Sequence, residues 1–220
     1  MIRYEEVSKI YRGNNKILED VNFNVDSGEF SFLIGPSGAG KTTLLKFLIR
    51  EDTPTQGKVW FKDDDVVKLP GRKVPQLRRK IGMVFQDFKL LKEQTVEENV
   101  RFALEVTGHK SKEQHQVVSY LLERVGLATH AKMYPYQLSI GEQQRAAIAR
   151  ALVHEPQVLL ADEPTGNLDI QNASNIIDLL KQINEWGTTV IVATHDLDLI
   201  KHVPKVKVFE IANLTVARKD

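Results

Sequence analysis

The spacing of the hydrophobic positions changes twice along the chain and divides it into three stretches. In the first 62 residues apolar and polar side chains alternate, as at Val21, Phe23 and Val25, which is the pattern of half-buried strands. Residues 30–34 form a short, nearly continuous apolar run, typical of a strand that is buried on both faces. Residues 57–61 also have strand character, so the first stretch is predicted to be rich in β-structure.

The second stretch, from about residue 87 to residue 156, has mainly helical spacing. Its clearest segment begins with Ser111-Lys112-Glu113-Gln114, which has the form of a capping box, and stops at Gly126. Between these two signals, apolar residues recur at helical spacing, at positions 117, 118, 121, 122 and 125. The pattern predicts a helical subdomain inserted into a larger unit.

The third stretch returns to alternating strands and helices. An apolar run over 158–161 precedes a helical stripe over 173–183, which Gly187 ends, and the β-branched segment TTVIVA follows at 188–193. Such alternation favours a mainly parallel sheet covered by helices. The last residues, 205–220, are predicted to form a closing hairpin.

The three stretches together predict one α/β domain over residues 1–220, with a core of about 1–86 and 157–220 and helices over about 87–156. A chain of this length can bury about 70% of its unfolded surface, so a sizeable core is expected. No apolar run reaches the roughly 18 residues that a membrane span requires. The start, MIRYEEVSKIY, lacks the apolar segment of a signal peptide.

Composition removes several classes of chemistry. The chain has no cysteine, which excludes disulfides, thiolate catalysis and cysteine-based zinc sites, and is compatible with a reducing cytoplasmic setting. The 30 basic residues nearly balance the 29 acidic ones, so no overall charge favours a nucleic-acid partner. The run Arg78-Arg79-Lys80 is expected to be a solvated surface, as short charge runs usually are.

The segment GPSGAGKT at 35–42 fits the phosphate-loop pattern G-x-x-x-x-G-K-[ST] at every fixed position. It lies between the buried strand at 30–34 and an apolar, helix-like stretch at 44–48, which is the context the motif requires. Glycines let successive backbone N–H groups converge on phosphate oxygens, and the following helix points its positive end at the same anion. Lys41 is predicted to contact the β- and γ-phosphates, and the Thr42 hydroxyl is suited to Mg²⁺. The predicted nucleotide-binding residues here are Gly35, Pro36, Ser37, Gly38, Ala39, Gly40, Lys41, Thr42 and Thr43.

A second signal lies where the apolar run at 158–161 ends in two adjacent carboxylates, Asp162 and Glu163. By itself this pattern is most often a solvated strand end. Beside a phosphate loop it gains a role, because Mg²⁺ needs a hard oxygen ligand near the nucleotide. We expect Asp162 to hold the metal, through water, and Glu163 to polarise the attacking water.

Six motifs in order resemble those of the ATP-binding-cassette (ABC) ATPases, over essentially the full chain: the loop at 35–42, Gln86, the signature Leu138-Ser139-Ile140-Gly141-Glu142, Asp162-Glu163, Gly166-Asn167-Leu168-Asp169, and His195. The resemblance implies a P-loop NTPase fold, with a mainly parallel core sheet, an amino-terminal antiparallel β-subdomain and an inserted α-helical subdomain. It also implies that two copies pair head to tail as a homodimer, with each ATP between the phosphate loop of one copy and the signature of the other.

The resemblance gives the signature residues their roles. Ser139 would donate its hydroxyl to the γ-phosphate, Gly141 would offer a backbone N–H, and the helix starting near Gly141 would point its N-terminus at the anion. The commonest family form has glycine where this chain has Ile140, and because a backbone N–H survives that change, we expect Ile140 to be tolerated. The alternative interpretation is that Ser139 simply caps an amphipathic helix, and both can hold together.

The remaining site residues follow from the same resemblance. Tyr11 would stack on adenine, although a lone aromatic is more often part of a core. Gln86 would touch Mg²⁺ or the attacking water and report to a membrane partner. His195 would contact the γ-phosphate and hold Glu163 in line, and Asp169 would act across the dimer interface. The implied metal ligands are Thr42, Gln86 and Asp162, and the implied catalytic residues are Glu163, His195, Lys41 and Gln86.

Because the chain has no predicted span, a transport-type cassette would need a separate membrane subunit. The chain itself is expected to lie at the cytoplasmic side of the membrane, bound through that partner. The segments VFQDFKLL at 84–91 and TVEENV at 95–100 resemble the cassettes of bacterial cell division, whose ATP cycle is coupled to cell-wall hydrolases. The segment ADEPTGNLD at 161–169 is shared with lipoprotein-releasing and MacB-type export cassettes, which are the alternative. A nucleic-acid-associated cassette is disfavoured by the single cassette and balanced charge, and a non-hydrolysing scaffold by Glu163 and His195.

Overall fold

A computed structural model describes residues 1–107, 111–203 and 206–219, without the side chains of 107 and 111–113. The strands are β1 (Ile2–Tyr11), β2 (Asn15–Val25), β3 (Phe30–Ile34), β4 (Gln56–Phe61), β5 (Asp64–Asp65), β6 (Ile81–Val84), β7 (Val158–Asp162), β8 (Thr189–Thr194), β9 (Lys207–Ala212) and β10 (Thr215–Lys219). The helices are α1 (Lys41–Leu48), α2 (Val74–Arg78), α3 (Val96–Thr107), α4 (Ser111–Arg124), α5 (Ile140–Leu152) and α6 (Ile170–Glu185). Short 3₁₀ segments lie at Gly71–Lys73, Ala128–His130, Pro135–Gln137 and Asp198–His202.

The core sheet has six strands in the order β10-β9-β3-β8-β7-β6. All neighbours from β9 to β6 run parallel, and only β10 is antiparallel, to β9. Every residue of β3, β7 and β8 is buried, because helices cover one face and the amino-terminal sheet with α1 covers the other. Alternate residues of β3 serve the two faces: Phe32 packs into one hydrophobic cluster and Leu33 into the other. The predicted mainly parallel sheet is confirmed.

The amino-terminal sheet is antiparallel, with the order β2-β1-β4-β5. It is joined to the rest of the core by aromatic packing, since Tyr4 stacks on Phe23 with ring centres 4.4 Å apart and Phe23 contacts Phe209 at 4.8 Å. The Tyr4 hydroxyl donates a hydrogen bond of 2.8 Å to the Leu44 carbonyl, and burial raises the pKa of this phenol. The antiparallel sheet is therefore fixed to α1, the helix that follows the phosphate loop.

Helices α3, α4 and α5 lie between β6 and β7 in the sequence, and they pack against one another. Helix α3 of the predicted helical stretch begins only at Val96, whereas residues 87–95 consist of turns and irregular backbone. Gly126 has a φ of 72° just after α4, which fits its predicted role as a stop signal. The predicted capping box depends on the side chain of Ser111, which lies outside the described residues. The subdomain boundaries at 86/87 and 156/157 stay a prediction.

The helical part also touches the far end of the core. The Arg124 guanidinium at the end of α4 lies 3.9 Å from the centre of the Trp186 ring, which directly follows α6. The closing hairpin is confirmed as β9 and β10 over 207–219, while Lys205 and Asp220 lie outside the described residues. No helix within the described ranges is both long and apolar enough to cross a membrane.

The carboxyl ends of four neighbouring strands meet at one edge of the core sheet. In spatial order β3 leads into the phosphate loop, β8 into His195, β7 into Glu163, and β6 into Gln86. Open parallel sheets bind ligands at this edge. The strand order thus brings together residues that lie up to 160 positions apart in the sequence.

Candidate nucleotide-binding site

The phosphate loop connects β3 to α1 and is shaped by glycines. Gly40 has a φ of 105°, and a Cβ there would lie 2.9 Å from Cδ2 of Leu18. Gly35 likewise leaves no room, since a Cβ would lie 2.9 Å from the Ile211 carbonyl oxygen. Both positions require glycine, because any side chain would be strained and would clash with the strands beside the loop.

Lys41 is the first residue of α1, and its ammonium group is turned back into the loop. Its Nζ donates to the carbonyl oxygens of Gly35 at 2.8 Å and Pro36 at 3.2 Å. It also forms an ion pair with Oε1 of Glu163 at 3.1 Å, and both side chains are at most 10% exposed. A buried ion pair of this kind is stable only where further hydrogen bonds satisfy the charges, as the two carbonyls do here.

Asp162 is the last residue of β7 and lies beside the first turn of α1. The Thr42 hydroxyl donates a hydrogen bond of 3.0 Å to Oδ1 of Asp162. Burial is the main cause that raises the pKa of Asp162; the neighbouring Glu163 adds to it, and the Thr42 hydrogen bond and Lys41 oppose it. A buried carboxylate next to a hydroxyl oxygen is a donor pair that suits a hard divalent cation, so the residues present fit Mg²⁺.

The described residues hold no group of three or more His, Asp or Glu side chains that could bind a metal alone. A cation bound by Thr42 and Asp162 would therefore complete its shell from other oxygens, such as nucleotide phosphates, water and the Gln86 amide. This is the usual arrangement for Mg²⁺, which keeps several waters and binds through few carboxylates.

Glu163 follows β7 directly and has a backbone conformation that non-glycine residues rarely adopt, with φ of 47°. Its backbone N–H donates to the Ala193 carbonyl at 2.8 Å, which holds the turn against β8. Its carboxylate bridges two side chains: Oε1 faces the Lys41 ammonium, and Oε2 lies 2.9 Å from Nδ1 of His195. Such strain costs on the order of 1–3 kcal/mol and persists where the surroundings fix it, often at functional sites. Neither this strain nor the Lys41 contact has a recognisable signal in the sequence.

A cavity of 260 Å³ opens above the loop and gathers most of the predicted residues. Gln86 lines it, close to the Gly166 backbone, and so does Tyr11, a residue that is 40% exposed. Ala39 packs against the core below, and the Gly35 and Pro36 carbonyls hold Lys41. The residues that line the cavity are Tyr11, Ile17, Ser37, Gly38, Gly40, Lys41, Thr42, Thr43, Gln86, Glu163 and His195. Ile17 was missed by the sequence analysis.

Ser139 does not line this cavity and caps α5 instead. Its hydroxyl accepts from the Glu142 backbone N–H at 3.3 Å and donates to the Glu142 carboxylate at 2.8 Å, while the Ser139 backbone N–H donates to the same carboxylate. The Ser139 hydroxyl is the main cause that lowers the pKa of Glu142, and the backbone bond adds to it. The predicted helix cap is confirmed, with the helix beginning one residue earlier than expected, at Ile140.

Gly141 and Asp169 also lie outside the cavity, and they meet each other through Asn172. Asp169 caps α6, since its Oδ1 accepts from the Asn172 backbone N–H at 2.9 Å and its Oδ2 from the Asn172 amide at 2.6 Å. A Cβ on Gly141 would lie 3.1 Å from Oδ1 of Asn172, so the α5 and α6 tips are in contact. The two helix starts, which we call the signature tip (residues 138–141 and 169–172), form a second surface of their own.

Comparison with known proteins agrees with this geometry. A family profile of ABC transporters matches residues 18–166. The chain is similar to the dimeric ATP-binding cassette MJ0796 in a post-hydrolysis state bound to ADP and Pi, with 34% sequence identity and a TM-score of 0.89. The structural match covers 100% of this chain and 98% of that chain. It is also similar to cbiO1 from Clostridium perfringens, part of the ABC transporter complex cbiONQ, with 31% sequence identity and the same TM-score. That match covers 98% of this chain and 86% of that chain. The chain belongs to the ABC transporter family of ATP-binding cassettes.

The sequence relatives narrow this class. The chain is 52% identical to the cell division ATP-binding protein FtsE of Mycobacterium tuberculosis over 91% of itself and 87% of that protein. It is 50% identical to FtsE of Escherichia coli K12 over 91% of this chain and 90% of that protein. It is 42% identical to FtsE of Streptococcus pneumoniae over 100% of this chain and 95% of that protein. Within the ABC family the chain belongs with the FtsE proteins, and the resemblance to cell-division cassettes is confirmed.

Proposed function

We propose that two copies of this chain bind MgATP between them, hydrolyse it, and pass the resulting motion to a membrane subunit. The class of activity, an ATPase subunit of an ABC complex in cell division, follows from the family and the FtsE relatives. The observation that carries the proposed chemistry is the chain of contacts from Lys41 through Glu163 to His195, beside the Thr42–Asp162 pair.

The phosphate loop binds the triphosphate through backbone N–H groups and the Lys41 ammonium. Phosphate oxygens compete with Glu163 for this ammonium, so binding loosens the 3.1 Å ion pair and frees the carboxylate. Glu163 can then accept a proton from the attacking water. The water oxygen bonds to the γ-phosphorus, and the bond between the γ-phosphorus and the leaving oxygen of ADP breaks. His195 keeps its contact with Oε2 and holds the carboxylate in line.

Thr42, Asp162 and Gln86 would hold Mg²⁺. The ion would neutralise charge that develops on the phosphate oxygens. Burial disfavours an unpaired charge on Asp162, so its carboxylate would gain from a bound cation. The Thr42 hydroxyl beside it offers a second oxygen ligand.

The second copy supplies the other half of the site. Ser139, Gly141 and Asp169 lie together on the signature tip and away from the cavity of their own chain. A head-to-tail pair would bring this tip onto the phosphate loop of its partner, with the positive end of α5 directed at the γ-phosphate. The dimeric cassettes of the same fold support this arrangement.

The test is the Glu163→Gln variant, which keeps the shape of the side chain and cannot accept the proton. We expect it to elute as a dimer with MgATP and as a monomer with MgADP in sizing chromatography. As a matched control, Glu185→Gln changes a carboxylate at the end of α6 and should leave the wild-type pattern unchanged. Glu163→Gln that stays monomeric with saturating MgATP would contradict the proposal.

The membrane subunit is proposed to dock in a groove of 570 Å³ between the core and the helical part. The sequence predicts this contact near Gln86 and Phe88. Gln86 instead lines the nucleotide cavity and Phe88 packs against the hydrophobic core, while the neighbouring Phe85 and Lys89 line the groove. The floor is apolar and the rim cationic: the main lining residues are Met83, Phe85, Leu91, Phe102 and Val106, with Arg78, Arg79, Lys89 and Arg150 around them. This chemistry suits an amphipathic helix with acidic residues, on the cytoplasmic side of an FtsX-like membrane protein.

Arg150 connects this groove to the signature tip. Its guanidinium, on α5, donates to the carbonyl oxygen of Phe88 at 2.7 Å and to that of Lys89. Phe88 and Lys89 both have positive φ, so the arginine fixes an otherwise unfavourable turn two residues after Gln86. Because Ser139 caps the same helix, a push on the groove moves the turn and the signature tip together.

Two exposed valines test the docking surface. Val106 on α3 lines the groove and is 63% exposed, whereas Val117 on α4 is 37% exposed and lines a different cavity. We expect Val106→Asp to abolish copurification of the membrane subunit while ATP binding is unchanged, and Val117→Asp to retain both. Equal copurification with the two variants would contradict the groove, and recovery of a lipoprotein-releasing or MacB-type membrane subunit would contradict the cell-division assignment of the partner.

A further inference from the structure

Lys9 in β1 is a buried cation with an unusually complete set of contacts. The residue is 8% exposed, and its Nζ donates to Oδ1 of Asp52 and to the Thr53 carbonyl, each at 2.6 Å. The same ammonium lies 4.6 Å from the centre of the Tyr11 ring and 5.7 Å from that of Phe47. An ion pair buried only for stability gives little advantage over an apolar pair, so the arrangement calls for another explanation.

The Tyr11 side chain is fixed by the same carboxylate. Its hydroxyl donates to Oδ2 of Asp52 at 2.7 Å and lies 3.4 Å from the Thr43 hydroxyl. Asp52 thus bridges Lys9 and Tyr11, one with each oxygen. Since Asp52 lies shortly after α1, this bridge connects the Tyr11 ring to the helix that carries Lys41 and Thr42.

We propose that Lys9 and Asp52 are positioning residues that hold the Tyr11 ring as a rigid platform for the nucleotide base. The inference rests on the proposed stacking role of Tyr11 and goes beyond it by naming what sets the ring in place. Lys9 covers one ring face through a cation–π contact, so a base bound in the cavity that Tyr11 lines can stack only on the other face. A partly exposed tyrosine that is already ordered loses less conformational freedom on binding.

The charge state of Asp52 agrees with this role. Burial alone would raise the pKa of its carboxyl, but hydrogen bonds from Lys9, Tyr11 and the Thr53 backbone outweigh burial and lower it. The carboxylate is therefore ionised near neutral pH and can accept from both partners at once.

The experiment separates base binding from phosphate binding. The Lys9→Met variant is titrated by calorimetry with ATP and with inorganic tripolyphosphate, which carries the phosphates and no base. We expect ATP affinity to fall about tenfold, the equivalent of about 1.4 kcal/mol, with tripolyphosphate affinity unchanged. Lys16→Met is the matched control, because Lys16 forms a surface pair with Glu19 and should leave both affinities unchanged.

Two further variants define the outcomes. Asp52→Asn should reproduce the selective loss of ATP affinity, and Lys9→Met should add nothing in a Tyr11→Ala background if Lys9 acts through the ring. Equal losses for ATP and tripolyphosphate, or additive losses with Tyr11→Ala, would overturn the positioning role. If Tyr11→Ala itself leaves ATP affinity unchanged, the stacking role in the proposed function fails, which is a different result.

Discussion

The phosphate loop and the signature tip are both built around helix starts, yet they differ in almost every other respect. At the loop, Lys41 and Glu163 are nearly buried and in contact with each other. At the tip, Ile140 is 48% exposed and Ile170 is 87% exposed, and the polar groups of Ser139 satisfy only their own helix. The phosphate loop has its charges paired within one chain. The signature tip lies outside the nucleotide cavity of that chain.

In the proposed head-to-tail pair, the two surfaces would have different tasks. The loop would bind nucleotide within one chain, which agrees with charges that are preorganised inside the fold. The tip would contact a second molecule, which agrees with caps that satisfy its own backbone and keep it stable while exposed. Variants on the two surfaces should therefore separate nucleotide affinity from dimer formation.

The largest expected effect lies at the loop. Lys41→Ala removes the buried ammonium, and we expect ATP affinity to fall about 100-fold or more, because each charge-assisted hydrogen bond contributes about 1.5–3 kcal/mol. Titration with a fluorescent ATP analogue measures the loss. Lys46→Ala, on the same helix but in a surface pair with Glu51, is the control and should bind as wild type. Near wild-type binding by Lys41→Ala would refute the loop as the phosphate site.

A smaller effect is expected at the tip, and it should appear only in the pair. In the Glu163→Gln background, Ser139→Ala should weaken the ATP-bound dimer about tenfold, as expected for one lost hydrogen bond to a charged group, with nucleotide affinity of the monomer unchanged. Analytical ultracentrifugation measures the dimer.

The control for Ser139 is a second cap of the same type. Thr95 and Glu98 form the same reciprocal hydrogen bonds before α3, so Thr95→Ala should cost about 1 kcal/mol of stability without weakening the dimer. If Thr95→Ala and Ser139→Ala weaken the dimer equally, the tip acts only through helix stability and the contrast between the surfaces disappears.

A third effect concerns the buried carboxyl of Asp162 beside the phosphate loop. Burial raises the folded-state pKa of Asp162, so its favourable contribution to stability is complete at acidic pH and is lost as pH rises through that pKa. In Mg²⁺-free buffer we expect Asp162→Asn to melt about 2–4 °C above wild type at neutral pH, an effect of about 1 kcal/mol in a chain of this size. The gap should close as pH falls below the usual carboxyl range. A gap that widens toward acidic pH would reverse the assigned sign.

The smallest effect is expected for Ile140→Gly. The α5 helix begins at Ile140 with its cap complete, so isoleucine preserves the backbone geometry that a glycine would provide. We expect the dimer affinity in the Glu163→Gln background to change less than about threefold, within the range of an exposed side chain. A change of tenfold or more would show that the Ile140 side chain contributes directly to pairing.

The sequence predicted the parts of the fold whose signals are local. The phosphate loop, the buried strands predicted at 30–34 and 158–161, and the start of α5 are each specified by residues within a few positions of one another. The antiparallel amino-terminal sheet came from the family resemblance. The strand order was not predicted, because pairing between β3 and β8 joins residues about 160 positions apart.

The contacts that position the site could not be predicted in the same way. The Lys41–Glu163 pair, the Asn172 side chain against Gly141, and the bridge from Asp52 to Tyr11 and Lys9 each join distant segments. None has a spacing rule, since each depends on where the sheet places its strand ends. The positive φ of Glu163 has no local signal either, because glutamate rarely adopts it.

The contact between Arg124 and Trp186 gives the protein a built-in optical reporter. Trp186 is one of only two tryptophans, and it precedes β8 at the end of that strand opposite His195, roughly 20 Å from the chemistry for a six-residue strand. Indole emission is sensitive to a guanidinium on its ring. In a Trp60→Phe variant, a swing of α4 relative to the core would change the emission in real time, without any attached dye.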